Sequence, residues 1–244
     1  MMHFEDYRTS HVGAHSWAQD YDAKLFAPGS FDAAIWEREQ LLLDRIVQQH
    51  VTHRESYLDF ACGTGRVLSY VEPHFRTAVG LDISDTMLAV ARDRVRTAKL
   101  VHADATSDPA ALEGRRFDLV TAFRFFLNAQ PSLRDAAMAF LAGTLKDKDS
   151  RLLFNVHGNR YSTRALLAAK AMITREQFAS MSVRESIDLA ARHGLEVIEW
   201  YGIGSYDKSL LRLMPLRVWR WAEAVAALPK RCAVYLYFLC RRAS

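Results

Sequence analysis

The sequence predicts an α/β protein built on a doubly wound parallel sheet. Three observations predict it. Short apolar runs alternate with amphipathic segments through five successive strand-helix units beyond Glu55. Parallel neighbours need long crossovers, and helices packed on both faces of the sheet are the usual ones. A glycine-bearing turn, Gly63-Thr64-Gly65, joins the first run to the first helix. The nine-residue run from Cys232 to Cys240 is the longest uninterrupted apolar stretch, and a spanning helix needs about twenty.

Two amphipathic patterns come first. One includes Trp17, Tyr21, Leu25 and Phe26; the other runs from Phe31 to Val47, with Ile35, Leu42, Leu43 and Ile46 at helical spacing. The strands then read YLDF, TAVGLD, AKLVHAD, RFDLVTAF and RLLFNVHG. Helices are expected from about Arg66, from about Asp85, as a short polar piece after the third strand, and from Leu133 to Leu145. The segment around Tyr161, Arg164, Leu166, Leu167 and Ile173 reads as helical and irregular. In SVRESIDLAARHG, Ser182 with Glu185 forms a capping box, Ile187, Leu189 and Ala190 an apolar stripe, and Gly194 a stop. LEVIEWYGIGSY is a sixth strand and CAVYLYFLC a seventh, separated by an inserted amphipathic helix broken at Pro215.

With 244 residues, half of them hydrophobic and a quarter charged, the composition excludes collagen-like, mucin-like and wholly disordered chains. The N-terminal stretch carries acidic residues and no apolar run, so it does not read as a secretory signal. Cys62, Cys232 and Cys240 are odd in number and lack CxxC spacing. That pattern suggests neither a disulfide framework nor a zinc site, and a cytoplasmic location is the simpler expectation. No metal is expected, because His3, His11, His15, His50 and His53 lack ligand spacing on one helix face.

The formal net charge is +4, but Asp207 to Ser244 holds eight basic residues against two acidic ones. A solvated basic face is the plain reading. An anionic substrate approaching there is the alternative. Arg212, Arg217 and Arg220 are interleaved with Leu213, Leu216, Trp219 and Trp221, which fits either a lid over the substrate or an interfacial helix touching a membrane surface.

The first strand and its turn read Leu58-Asp59-Phe60-Ala61-Cys62-Gly63-Thr64-Gly65-Arg66. Such a turn lets a ligand approach the backbone and face the positive end of a helix. Counting from Gly63, the third position of a dinucleotide fingerprint falls on Leu68, and no Gly-Lys-Ser or Gly-Lys-Thr occurs, so NAD and ATP lose ground. The second strand ends in Gly80-Leu81-Asp82, where an acid can hold both hydroxyls of an unphosphorylated ribose. The third ends in His102-Ala103-Asp104-Ala105, where an acid can meet the amino group of a purine.

These residues together resemble the class I methyltransferases that use S-adenosyl-L-methionine. LDFACGTGR is similar to their first motif, GLDISDTMLAVAR to the acidic second-strand motif, HADA to the adenine-side motif and FDLVTAF to the fourth strand. Ala61 stands where the family often has glycine. The resemblance covers roughly Tyr57 to His157, more loosely to Tyr201, and implies a Rossmann-like sheet of seven strands, the last antiparallel. It implies that Ala61, Gly63 and Gly65 line the methionine part of the cofactor, that Asp82 holds the ribose, and that Ile83 and Met87 flank the adenine. Asp104 and Ala105 would meet the adenine edge, Phe123 would close over the sulfonium, and Tyr21 would lie over the cofactor. Residues 1–54 then form an N-terminal helical cap and 55–244 the methyltransferase domain, with 158–181 and 207–231 as substrate-side insertions.

Methyl transfer from a sulfonium is an in-line displacement that needs few catalytic side chains. A hydroxyl acceptor is helped by a base, and His157 is the candidate. Arg124, Phe125, Phe126 and Asn128 after the fourth strand, and Asn155, Asn159 and Tyr161 around the end of the fifth, occupy the substrate side. Of these, Arg124, Asn128, Asn155 and Tyr161 are the substrate-binding candidates; Arg124 either meets an anionic acceptor or pairs with a nearby acid. The expected acceptor is a small polar molecule, a sugar or nucleotide-linked sugar, with oxygen slightly preferred over nitrogen because His157 is present. Two alternatives stand beside it: a lipid-linked acceptor at a membrane surface, and a non-catalytic RNA-binding member of the fold. RNA signatures are absent and the net charge is mild, so no nucleic-acid partner is expected.

Overall fold

The computed structural model describes residues 25–162, 180–205, 215–225 and 229–243. Its chain order is α1 (Phe31–Gln49), β1 (Ser56–Phe60), α2 (Arg66–Val71), β2 (Thr77–Asp82), α3 (Asp85–Arg94), β3 (Lys99–His102), β4 (Leu119–Ala122), α4 (Pro131–Thr144) and β5 (Arg151–Val156). After these come α5 (Val183–Arg192), β6 (Leu195–Ile203), α6 (Leu216–Val225) and β7 (Tyr235–Arg242). The short polar piece after β3 is a 3-10 turn, Pro109–Leu112.

The seven strands form one sheet in the order β3-β2-β1-β4-β5-β7-β6. The first five run parallel, and β7 lies antiparallel between β5 and β6. Because β7 occupies a central place, both of its faces must be apolar. That explains why Tyr235 to Cys240 is buried throughout, whereas most of β6, on the edge, is half-buried.

Alternate residues of each strand feed two separate cores. On one face Leu58, Phe60, Leu81, Val120, Phe154 and Phe238 meet α4 and α5 through Leu133, Met138, Leu141 and Leu189. On the other, Tyr57, Leu119, Leu153, Tyr237 and Leu239 meet α1, α2 and α3 through Ile35, Leu43, Ile46, Leu68 and Leu88. Helix α1 starts at Ser30, whose hydroxyl accepts from the Ala33 amide. The capping box of α5 has both of its hydrogen bonds, and Gly194 ends the helix at φ +71°.

The lower ends of the strands are pinned by a buried acid. Asp118 Oδ2 accepts the amides of Glu55 and Ser56, and Oδ1 accepts from Lys146 Nζ. Near the last strands, Trp219 of α6 is buried with its ring 5.3 Å from Phe31, while Trp221 is 63% exposed. Several tail cations have protein partners: Arg220 pairs with Glu37, Arg241 with Glu196, and Lys230 lies over the Trp200 ring. Arg212 and Leu213 fall outside the described residues. Among the described residues, no helix is long and apolar enough to cross a membrane.

Candidate functional site

The sheet reverses its winding between β1 and β4, where doubly wound folds open a crevice beyond the carboxyl ends of the strands. A cavity lies there, walled by the turn after β1, the ends of β2, β3 and β4, and Phe26 from the segment before α1.

The turn after β1 needs three left-handed residues, Ala61 at φ +52°, Gly63 at +54° and Gly65 at +75°. Cys62 N donates to Leu81 O at 3.1 Å and Gly65 N to Cys62 O at 2.9 Å, which closes the turn against β2. Gly65 N-caps α2 and brings it close to α3: a Cβ there would meet Ala91 Cβ at 3.1 Å. Gly80 leaves room for Leu68, whose side chain fills the space a Cβ would take.

Asp82 is buried at the end of β2. Its Oδ2 accepts the Gly63 amide at 2.8 Å and its Oδ1 the Ser84 amide at 2.8 Å. Ser84 is the N-cap of α3, its hydroxyl accepting from Met87 N. His102 Nε2 donates to Ile83 O at 2.9 Å, so the end of β3 holds the loop that carries Ile83. Asp104 Oδ1 accepts from the amide and hydroxyl of Thr106, a local turn that fixes the carboxylate at the rim.

Deeper in the wall stands Asp59, 2% exposed, on β1. Thr121 Oγ1 lies 2.6 Å from its Oδ1 and 2.7 Å from Tyr57 Oη. Its Oδ2 has no hydrogen-bond partner among the described residues. Burial pushes the Asp59 carboxyl up to about 7, against the pull of the Thr121 hydroxyl, Arg66 and the Leu68 amide. Burial also raises the Cys62 thiol and the Tyr57 phenol well above their ordinary values.

Two arginines frame the mouth. Arg66 donates to Glu39 Oε2 at 2.9 Å, and Glu39, fully buried on α1, also accepts from Tyr237 Oη at 2.8 Å. One turn-pair earlier on α1, Asp32 Oδ1 accepts from Arg124 at 2.9 Å and from Tyr235 Oη at 3.4 Å. The Phe26 ring lies between the two guanidinium groups, 4.3 Å from Arg66 and 5.1 Å from Arg124. Arg124 sits at φ +60°, and its amide donates to Asn155 Oδ1 at 2.6 Å.

Residues 58–148 match the family model described as a methyltransferase domain. A dTDP-3-amino-3,6-dideoxy-alpha-D-glucopyranose N,N-dimethyltransferase of Streptomyces fradiae is 37% identical over 115 residues, covering 46% of this chain and 44% of that protein. Magnesium protoporphyrin IX methyltransferase from Synechocystis PCC 6803, solved with bound SAH, has the same fold: TM-score 0.65 at 13% identity, over 98% of this chain and 100% of that one. Residues 58–148 therefore carry the pattern of a methyltransferase domain, on a fold shared with a methyltransferase solved with bound SAH. A further relative, from Saccharomyces cerevisiae and named as a probable S-adenosylmethionine-dependent methyltransferase, is 36% identical over 59 residues, 24% of this chain and 20% of that one. The chain spans less than half the length of the curated relatives it matches.

Within this methyltransferase fold the cavity brings together Ala61, Gly63, Asp82, Ile83, Met87, Asp104, Ala105 and Phe123, with Arg124 and Asn128 on the substrate side. Gly65 does not line it; its conformation serves the close approach of α2 to α3. Tyr21 lies outside the described residues, as do Arg164, Leu166, Leu167 and Ile173. The ionic environment of Arg124 is that of a paired cation, because Asp32 on α1 reaches it. Asn155 is fully buried and does not line the cavity; it braces the Arg124 backbone from β5. Asn159 is likewise a brace, its Nδ2 donating to the carbonyls of Arg231 and Ala233. Phe126 is buried in the core. Tyr161 is 67% exposed and His157 half-buried, and neither is among the cavity-lining residues. The sequence reading missed Phe26, Arg66 and Asp59 as cavity walls. Asp59 alone carried a signal, an acid inside an otherwise apolar strand.

Proposed function

We propose that this chain transfers a methyl group from S-adenosyl-L-methionine to the amine of a small polar acceptor, a sugar or nucleotide-linked sugar. The observation that carries the reading is the Asp82 carboxylate joined to the Gly63 amide at the lip of the cavity. It sets an acceptor for a ribose diol directly beside backbone that a ligand can approach closely. A carboxylate has about four lone-pair sites, so binding two amides is compatible with binding hydroxyls as well. Asp82 would hold the ribose; Ile83 and Met87 would flank the adenine, and Asp104 and Ala105 would meet its edge. Ala61 and Gly63 would face the methionine part and Phe123 the sulfonium. Bound there, the cofactor supplies an electrophilic methyl group.

What the chain itself supplies is position: holding nucleophile, carbon and sulfur in line lowers the barrier by about 7–11 kcal/mol. The preference for nitrogen over oxygen has two supports. Among the described residues no histidine lines the cavity, whereas a neutral amine brings its own lone pair and needs no base to activate it. The Streptomyces relative bears the name of an amino-sugar nucleotide N,N-dimethyltransferase. The division into a cap over residues 1–54 and a methyltransferase domain over 55–244 belongs to the same proposal, with 158–181 and 207–231 facing the acceptor.

The test is a screen with radiolabelled methyl donor, nucleotide-linked amino sugars first and hydroxyl-only sugars second. Transfer to the amine set supports the proposal. Transfer confined to hydroxyl acceptors overturns the choice of atom, and failure to bind S-adenosylhomocysteine in calorimetry overturns the cofactor.

A further inference from the structure

Four large hydrophobic side chains are exposed among the described residues, and they are not scattered. Leu41 is 68% exposed, Trp221 63% and Val218 40%, with Tyr161 the fourth. Val218 and Trp221 lie one turn apart on α6, on the side opposite Trp219, which is buried against Phe31. Arg220 of the same helix donates to both carboxylate oxygens of Glu37 on α1, at 2.7 and 2.9 Å. Leu41 stands one turn beyond Glu37 on the same face of α1. Three of the four thus belong to the two helix faces that this ion pair joins. A single exposed apolar side chain is ordinary in a folded protein, whereas a shared patch calls for something to cover it. No residue of α6 lines the cavity, so neither the cofactor nor the acceptor covers this one.

The charge around the patch selects its partner. Arg38, Arg45, Arg217 and Arg220 are exposed on α1 and α6, against a single exposed acid, Glu37, among the described residues of the two helices. Arg45 lies 3.5 Å from Glu199 and Arg220 is held by Glu37, whereas Arg38 and Arg217 have no ion pair with another described residue. A second copy of the chain would set these cations against their own kind, because a two-fold contact pairs a patch with itself. An anionic bilayer suits both halves of the patch. Indole and aliphatic side chains settle at the headgroup boundary, and arginines meet lipid phosphates. We propose that the outer face of α6, together with Leu41 of α1, docks this protein on the surface of a bilayer that contains anionic phospholipid. The contact is peripheral and reversible, since a few side chains carry it and no spanning element does. The two tryptophans divide the roles that the sequence left open: Trp219 anchors α6 inward, and Trp221 meets the lipid. Docking in this way uses none of the residues that line the cavity.

The experiment is sedimentation of the full chain with two kinds of vesicle, phosphatidylcholine alone and equal parts phosphatidylcholine and phosphatidylglycerol, at low and high salt. The parent is expected to sediment with the anionic vesicles, and less so as salt screens the arginines. Trp221→Ser and Leu41→Ser should each lower the partition by about tenfold. Arg217→Gln should lower it by about fivefold. All three should keep the parental affinity for S-adenosylhomocysteine. Brominated lipid should quench the tryptophan fluorescence of the parent and that of Trp221→Phe far less, which reports α6 itself at the bilayer. A parent that stays in the supernatant, one that binds neutral vesicles equally well, or variants that bind like the parent each overturn the docking. Variants that lose lipid and S-adenosylhomocysteine together overturn it too, because the patch is then structural. So does a parent that is dimeric in ultracentrifugation where Trp221→Ser is monomeric, because a second copy then covers the patch.

Discussion

Gly63 and Asp82 form one unit: the amide of the glycine turn after β1 donates at 2.8 Å to the carboxylate that ends β2. The other carboxylate oxygen holds Ser84, and through it the start of α3. The acid that would read the ribose therefore also sets the shape of the turn that would face the methionine. Both of its oxygens accept from N–H groups, so an amide side chain can satisfy only one of them. Asp82→Ala is expected to weaken S-adenosylhomocysteine binding by about 1.5–3 kcal/mol, the scale of hydrogen bonds to a charged group. Asp82→Asn should fall close to it, since its NH2 group faces a donor. Calorimetry on both variants checks this, and an Asn variant that binds like the parent would show that the charge is not needed.

The second prediction concerns the Glu39–Arg66 pair. Glu39 is fully buried and Arg66 nearly so, its guanidinium 4.1 Å from the Trp36 ring as well as against Phe26. Removing the cation strands a carboxylate in the core between α1 and β7. Arg66→Met should destabilise the fold by about 3–5 kcal/mol, the range for breaking a buried pair from one side. Glu39→Gln should cost less, because the amide oxygen still accepts a hydrogen bond. The double variant should be more stable than the sum of the two losses implies. Urea denaturation of the four proteins gives the coupling; additive losses would mean that the pair does not act as a unit.

Ala61 offers a sharper test of the turn. At φ +52° its Cβ pays a penalty that glycine escapes, yet glycine also loses more freedom on folding. The two effects nearly cancel, so Ala61→Gly should change stability by less than about 1 kcal/mol. Ala61→Val, β-branched at the same φ, should cost about 2 kcal/mol or more and distort the wall beside Gly63. Thermal melts and cofactor titrations of the two variants should part in this way.

These variants also mark how far the sequence could be read. The apolar run of β7, the capping box of Ser182 and Glu185, and the acid ending β2 were legible because each is a local pattern with one physical cause. The parallel run of the first five strands was legible in the alternation of strand and helix, whereas the antiparallel last strand was expected only from the family resemblance. The pairing of Arg124 with Asp32 was not legible. The partners lie 92 residues apart, and periodicity reports which face of a helix is apolar, not which distant cation a buried acid will meet. The same holds for Asn155 and Asn159. Their positions after a strand suggested substrate contact, whereas burial turned their amide groups to unsatisfied backbone. Gly65 was read as a ligand-facing residue, but it is the distance between α2 and α3 that demands it.

The last prediction turns the Asp59 environment into a property of the ligand-free protein. Its carboxyl titrates near 7 in the fold and near the ordinary 3.8 in the unfolded chain. Between those two values the folded state binds the extra proton, so the contribution of this group to stability is present at pH 4 and is lost as pH rises through about 7. This is the reverse of the salt-bridged carboxylate, whose contribution is lost on acidification. Asn keeps an oxygen for the Thr121 hydroxyl and brings no charge into the wall. The melting temperature of Asp59→Asn should therefore lie nearest that of the parent at about pH 4, rise above it progressively through about pH 7, and diverge no further beyond about pH 8. Other ionisable groups are common to both proteins and cancel in the difference. A gap that stays constant from pH 5 to pH 8 would mean that Asp59 is ionised throughout the range, and that a donor reaches Oδ2 in solution.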